Sequence, residues 1–209
     1  MSADSIKTEK LLLVEGRDEF NFFSALLAYI GIHDVKILEV GGCFQFASVY
    51  PSVVITSGFS SVKRIGFVRD AEANKADSAF QSILNIIKKN SPHFILPKIC
   101  GVVEKGEISC GIFIMPNNKD AGMLEDLCLK SVETETLYKE TEKFVANAKN
   151  KMTEKDSFRY NIHKAKVQTY LAGTVNVPRN LGEAALQKLW DFSNPAFDEV
   201  KQFINDLFL

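Results

Sequence analysis

Short, unbroken apolar runs alternate with stretches of helical period through the N-terminal part of this chain, and that alternation narrows the possible folds most. Residues 10–15 (KLLLVE) are apolar without any polar alternation, the pattern of a strand buried on both faces. From Asp18 to Ile30, Phe20, Phe23, Leu27 and Ile30 recur at spacings of three and four. That predicts a helix with one apolar face, ended by Gly31. Residues 35–40 (VKILEV) predict a second strand stopped by Gly41-Gly42, and residues 44–55 a helix with Pro51 inside it. Residues 64–69 (RIGFVR) predict a third strand that runs directly into Asp70-Ala71-Glu72. A third helix then places Phe80, Ile83, Leu84 and Ile87 on one side. This order predicts a mostly parallel sheet with helices on its faces, and such sheets bind ligands at the carboxyl ends of their strands.

Further along, residues 98–104 and 109–115 predict two strands joined by a hairpin turn at Lys105-Gly106-Glu107. A polar loop, 117–122, leads to a short helix bearing Leu124-Glu125-Asp126-Leu127. After about residue 131 the pattern is helical. Leu137, Phe144 and Ala148 share one expected face, and Phe158, Ile162 and Ala165 another. Phe197, Val200, Ile204 and Leu207 mark a last amphipathic helix. The expected division is an α/β domain over residues 1–130, with a helical extension over 131–209 packed on it.

Composition excludes several function classes. The 209 residues are 46% hydrophobic and 24% charged, which suits a globule and excludes a disordered chain. A net charge of −1 gives no bulk attraction to polyanions, so nucleic-acid contact requires a local basic patch or a metal. The four cysteines form no C-x-x-C pair and the three histidines no zinc motif. No window approaches the roughly 18 apolar residues of a membrane span, so no membrane contact and a reduced, cytoplasmic setting are expected. A G-x-x-x-x-G-K-[ST] loop is absent, and with it an ATPase signature.

Carboxylates gather just past the strand ends: Glu15, Asp18 and Glu19 after the first strand, Asp70 and Glu72 after the third, and Asp120 with Glu125 and Asp126 later. Hard divalent cations take oxygen ligands, and Mg²⁺ is held by one or two carboxylates with several waters. Alone, each acid reads as a helix cap or a solvated strand end. At the ends of neighbouring strands they read together as a metal site.

The first strand with Val14-Glu15-Gly16, followed by a strand running into Asp70-Ala71-Glu72, resembles the Toprim domain of topoisomerases, primases and recombination proteins. Its start is similar to the V-E-G-x-x-[DE] of the overcoming-lysogenisation-defect nucleases. The resemblance covers about residues 10 to 130 and implies a Toprim-like α/β fold. It also implies Mg²⁺ or Mn²⁺ held by Glu15, Glu19, Asp70, Glu72 and Glu125, with Glu15 and Lys166 (or Lys164) in catalytic roles. Position 72 departs from the family, which usually has Asp there.

Lys155, Arg159, His163 and Lys166 are spaced four, four and three, so they line one face of an expected helix. With Lys164 they form a candidate nucleic-acid grip; the plain alternative is a solvated charged face. The function expected is a Mg²⁺-dependent nuclease or related phosphoryl-transfer enzyme acting on DNA or RNA. The alternative is a non-catalytic module that binds nucleic acid, a nucleotide or a separate partner ATPase.

Overall fold

The unbroken apolar runs become strands covered on both faces. A computed structural model describes residues 5–153 and 160–209. Strands β1 (Lys10–Val14), β2 (Val35–Glu39), β3 (Arg64–Asp70), β4 (Val103–Glu104) and β5 (Ser109–Met115) form one sheet in the order β2-β1-β3-β5-β4. All pairings are parallel except that of the short edge strand β4. Successive side chains point to opposite faces. Leu12, Val14, Val68, Phe113 and Met115 therefore enter one core, and Leu11, Leu13, Ile65, Phe67, Ile112 and Ile114 the other.

Helix α1 (Arg17–Ile30) covers the first face with Phe22, Phe23, Leu26 and Leu27. Helices α2 (Phe46–Val54) and α3 (Ala76–Asn90) cover the second with Phe46, Tyr50, Phe80, Ile83 and Ile87. Gly31, at φ 85°, ends α1 in the left-handed conformation, as its position implied. Because β2 and β3 lie on opposite sides of β1, the chain reverses its winding there. That topological switch opens a crevice at the carboxyl ends of β1 and β3.

The remaining helices are α4 (Leu124–Ser131), α5 (Thr136–Asn150), α6 (Ile162–Ala172), α7 (Leu181–Leu186) and α8 (Asp198–Phe208). Val167, Tyr170, Leu171, Trp190, Phe203, Ile204 and Leu207 join the same core as α1, so hydrophobic packing is continuous across residue 130. A register pair of glycines, Gly66 and Gly111, lets α8 lie close on the sheet. A Cβ at Gly66 would come within 2.6 Å of Leu207, and one at Gly111 within 2.7 Å of Phe203. Arg64 donates to the carbonyl of Leu207 at 3.0 Å and so ties down the end of α8.

Two expectations change. The strand expected over 98–104 contracts to two residues, because Gly101 turns at φ 76° against the side chain of Asn118. On α5 the buried positions are Thr141 and Val145, while Phe144 is 62% exposed. The inward face runs through Leu137, Thr141 and Val145, and a buried threonine hides it from a hydrophobic pattern. Helix α6 starts at Ile162, where the Asn161 side chain accepts the Lys164 N–H at 3.0 Å. His163, Lys164 and Lys166 of the basic stripe lie on α6, and Lys155, Phe158 and Arg159 lie outside the described residues.

Candidate metal centre

Glu15 directly follows β1, and its Oε2 accepts the backbone N–H of Asp70 at 3.3 Å, so the ends of β1 and β3 are joined through the acid itself. The carbonyl of Glu15 accepts two further N–H groups, from Gly41 and Gly42, each at 2.9 Å. Those glycines sit at φ 90° and 121°, a conformation that suits residues without a Cβ. The turn they make brings Cys43 to the site. One ligand atom each from Glu15, Cys43 and Glu72 lies within 4.8 Å of the others. Glu72 adopts φ 62°, and its backbone pairs with Gly122 in both directions, at 2.9 and 2.8 Å. That bridge fastens the Asp70-Ala71-Glu72 segment to the loop before α4.

A deeper layer lies beside this one. Asp70 is 7% exposed, and its Oδ1 accepts the N–H of Leu124 at the start of α4, at 3.1 Å. Glu19 in the first turn of α1 and Glu125 in the first turn of α4 are likewise buried. Burial raises the pKa of each of these carboxyls, and for Glu19 and Asp70 neighbouring acids add to the effect. Glu19 is pushed up to about 7 by burial and then by Glu15, Glu125 and Asp18. Asp70 lies well above the usual carboxylate range through burial, then Glu19, Glu15 and Glu125. Glu15 and Glu125 are raised chiefly by burial as well.

Among the described residues, one lysine is ion-paired with these buried acids. Lys164 reaches Glu125 at 3.7 Å from α6. Burial works against its charge, yet Glu125, Glu19, Asp18 and Asp70 outweigh that and hold its pKa above the usual lysine value. Lys166, the residue expected in the catalytic role, instead binds Glu142 on α5 at 2.6 Å. Two residues apart on a helix, the pair point in widely different directions, and only Lys164 faces the acids. His163 is taken by Asp126, Nδ1 to Oδ1 at 2.5 Å. Asp18 accepts the N–H of Gly182 at 3.0 Å and so docks α7 onto α1. Asp120 accepts from Asn117 at 2.8 Å within its own turn.

The structure therefore brings Glu15, Glu19, Asp70, Glu72, Glu125 and Lys164 together. Sequence reading missed Cys43, for which the Gly41-Gly42 turn beside a strand end was the available signal. Burial, followed by the charge of Glu15, raises the Cys43 thiol, which keeps it protonated near neutral pH and a poor ligand. The remaining donors are crowded carboxylate oxygens, with the charge of Arg69 acting on Glu15 and Lys164 beside Glu125. That donor set fits a hard divalent cation.

No curated protein matches the sequence. In fold, the chain is similar to two solved structures, both of the C-terminal region of the Xanthomonas campestris pv. campestris OLD protein. The platinum-phased structure is 11% identical with a TM-score of 0.48, over 96% of this chain and 92% of that one. The mercury-phased structure is also 11% identical with a TM-score of 0.39, over 97% and 89%. Residues 9–209 match the model of a protein family of unknown function, DUF3226, and the chain belongs to that family.

Proposed function

We propose that this protein is a Mg²⁺- or Mn²⁺-dependent nuclease or related phosphoryl-transfer enzyme acting on nucleic acid through a Toprim-type carboxylate site. The observation that carries this reading is the convergence of Glu15 and Asp70 at the switch crevice between β1 and β3. Glu15 and Glu72 would hold the ion at the outer layer, with Asp70, Glu19 and Glu125 supplying the deeper carboxylates. A bound divalent ion supplies charge stabilisation at a phosphodiester and a water of lowered pKa. Asp70 is oriented by the Leu124 N–H, and Glu15 by the Asp70 N–H, so both carboxylates are positioned before any ligand arrives. Of the two lysines the resemblance offered for a catalytic role, Lys164 would face the phosphate, because the Lys166 amine is held by Glu142.

The test is cleavage of plasmid and single-stranded substrates in Mg²⁺ or Mn²⁺. Glu15→Gln and Asp70→Asn should each abolish cleavage while the circular dichroism spectrum is kept. Glu72→Asp restores the residue usual in the Toprim family and should raise or preserve the rate. A second reading, a non-catalytic module that binds nucleic acid, a nucleotide or a partner ATPase, is favoured by one observation. Glu72 stands exposed, and the third atom beside Glu15 is a thiol and not an acid. Absence of cleavage with either ion, with and without Glu72→Asp, would select that reading.

A further inference from the structure

The carboxyl edge of the sheet carries two features on either side of the acids. Phe44 follows β2 and is 88% exposed, directly next to Cys43, whose sulfur meets Glu15 and Glu72. A single exposed hydrophobic residue is ordinary. This one is a whole aromatic ring on the residue next to Cys43, carried to this edge by the Gly41-Gly42 turn that Glu15 itself fixes. On the far side, Lys75, Lys98 and Lys119 line a cleft of ≈ 270 Å³ together with Asp77 and Phe80. Lys75 precedes α3 and Lys119 follows β5, and the Ala76 N–H donates to the Lys119 carbonyl at 3.4 Å, joining the two loops. None of the three lysines is ion-paired among the described residues, and Asp77 is the acid lining the cleft with them. Their charge is available to a ligand.

The order along the edge is thus an open aromatic face at β2, carboxylates at β1 and β3, and lysines at β3 and β5. We propose that this edge is a track for a single-stranded segment of nucleic acid, with one base stacked on Phe44 and backbone phosphates held by Lys75, Lys98 and Lys119. A duplex keeps its bases stacked on one another, and only an unpaired base offers its face to a side chain. The lysines supply the sequence-independent attraction that a net charge of −1 does not. The proposal rests on the nucleic-acid reading above and narrows its substrate class.

The test is equilibrium binding of a labelled single-stranded oligonucleotide and of its duplex, with Ca²⁺ in place of Mg²⁺. Phe44→Ala should weaken single-strand binding about five- to a hundredfold, the range of one lost stacking contact. Phe44→Trp should retain affinity, and its fluorescence should be quenched on binding; the native Trp190 is buried and supplies a constant background. The triple change Lys75→Ala, Lys98→Ala, Lys119→Ala should flatten the logarithmic salt dependence by about 2, at roughly 0.7 per phosphate on a single strand. Unchanged affinity in Phe44→Ala, no quenching in Phe44→Trp, an unaltered salt slope, or a preference for duplex would each overturn the track while leaving nucleic-acid binding intact. A wild-type protein that binds neither oligonucleotide would overturn the functional reading itself.

Discussion

Glu19 shows how far a single residue departs from its ordinary chemistry here. Its pKa in the folded chain is about 7, against 4.5 for the free side chain. A carboxyl raised in this way binds its proton more tightly folded than unfolded, so stability falls as pH rises between those values. Without metal the protein should be more stable at pH 5.5 than at pH 7.5, with Glu19 contributing on the order of 2 kcal/mol of the difference. Thermal melts in EDTA should show a decrease of several degrees across that range, and a smaller one in Glu19→Gln. A pH slope that is the same in both proteins would mean that Glu19 is ionised throughout. Lys164 makes the reciprocal case. Lys164→Met removes the amine nearest Glu125, so it should lower the metal-free melting temperature at pH 7.5 more than at pH 5.5. Glu15, Asp70 and Glu72 were legible in the sequence because each sits at the end of an apolar run. Cys43 was not, because its approach depends on two glycine dihedrals. The choice between Lys164 and Lys166 depended on where α6 begins, which Asn161 sets by capping and periodicity does not reveal.

Among the elements, β1, α1, β2, β3 and β5 emerged close to their expected limits, since each has a strong period and a glycine, acid or polar boundary. The misreadings share a cause: a tertiary contact outweighed a local pattern. On α5, Thr141 is buried where Phe144 was expected. The packing of α8 on β3 and β5 depends on Gly66 and Gly111, which in sequence look like weak points of otherwise good strands. Gly111→Ala would place a methyl 2.7 Å from the Phe203 ring and 3.1 Å from Val103. It should cost about 1–3 kcal/mol by overpacking, measured by urea unfolding. Phe203→Leu should recover part of that loss in the double variant, because it removes the atoms that clash. Additive losses would show that the strain lies elsewhere.

Across the whole molecule, sheet topology converts separate stretches of sequence into one site. Reversal of winding at β1 sets Glu15 beside Asp70, α1 returns Glu19 to the same crevice, and the loop after β5 delivers Glu125. Helix α6 then brings the amine of Lys164 to Glu125. Among the described residues no helix is long and apolar enough to cross a membrane. A cation binding only the native state would relieve the repulsion of the crowded acids and stabilise the fold. That claim is tested most directly by calorimetric titration of Mn²⁺ into the wild type, Glu15→Gln and Asp70→Asn at pH 7.5, with circular dichroism as the control for folding. Saturable binding to the wild type and its loss in both variants are expected. Equal binding by all three proteins, or no binding by the wild type, would contradict it.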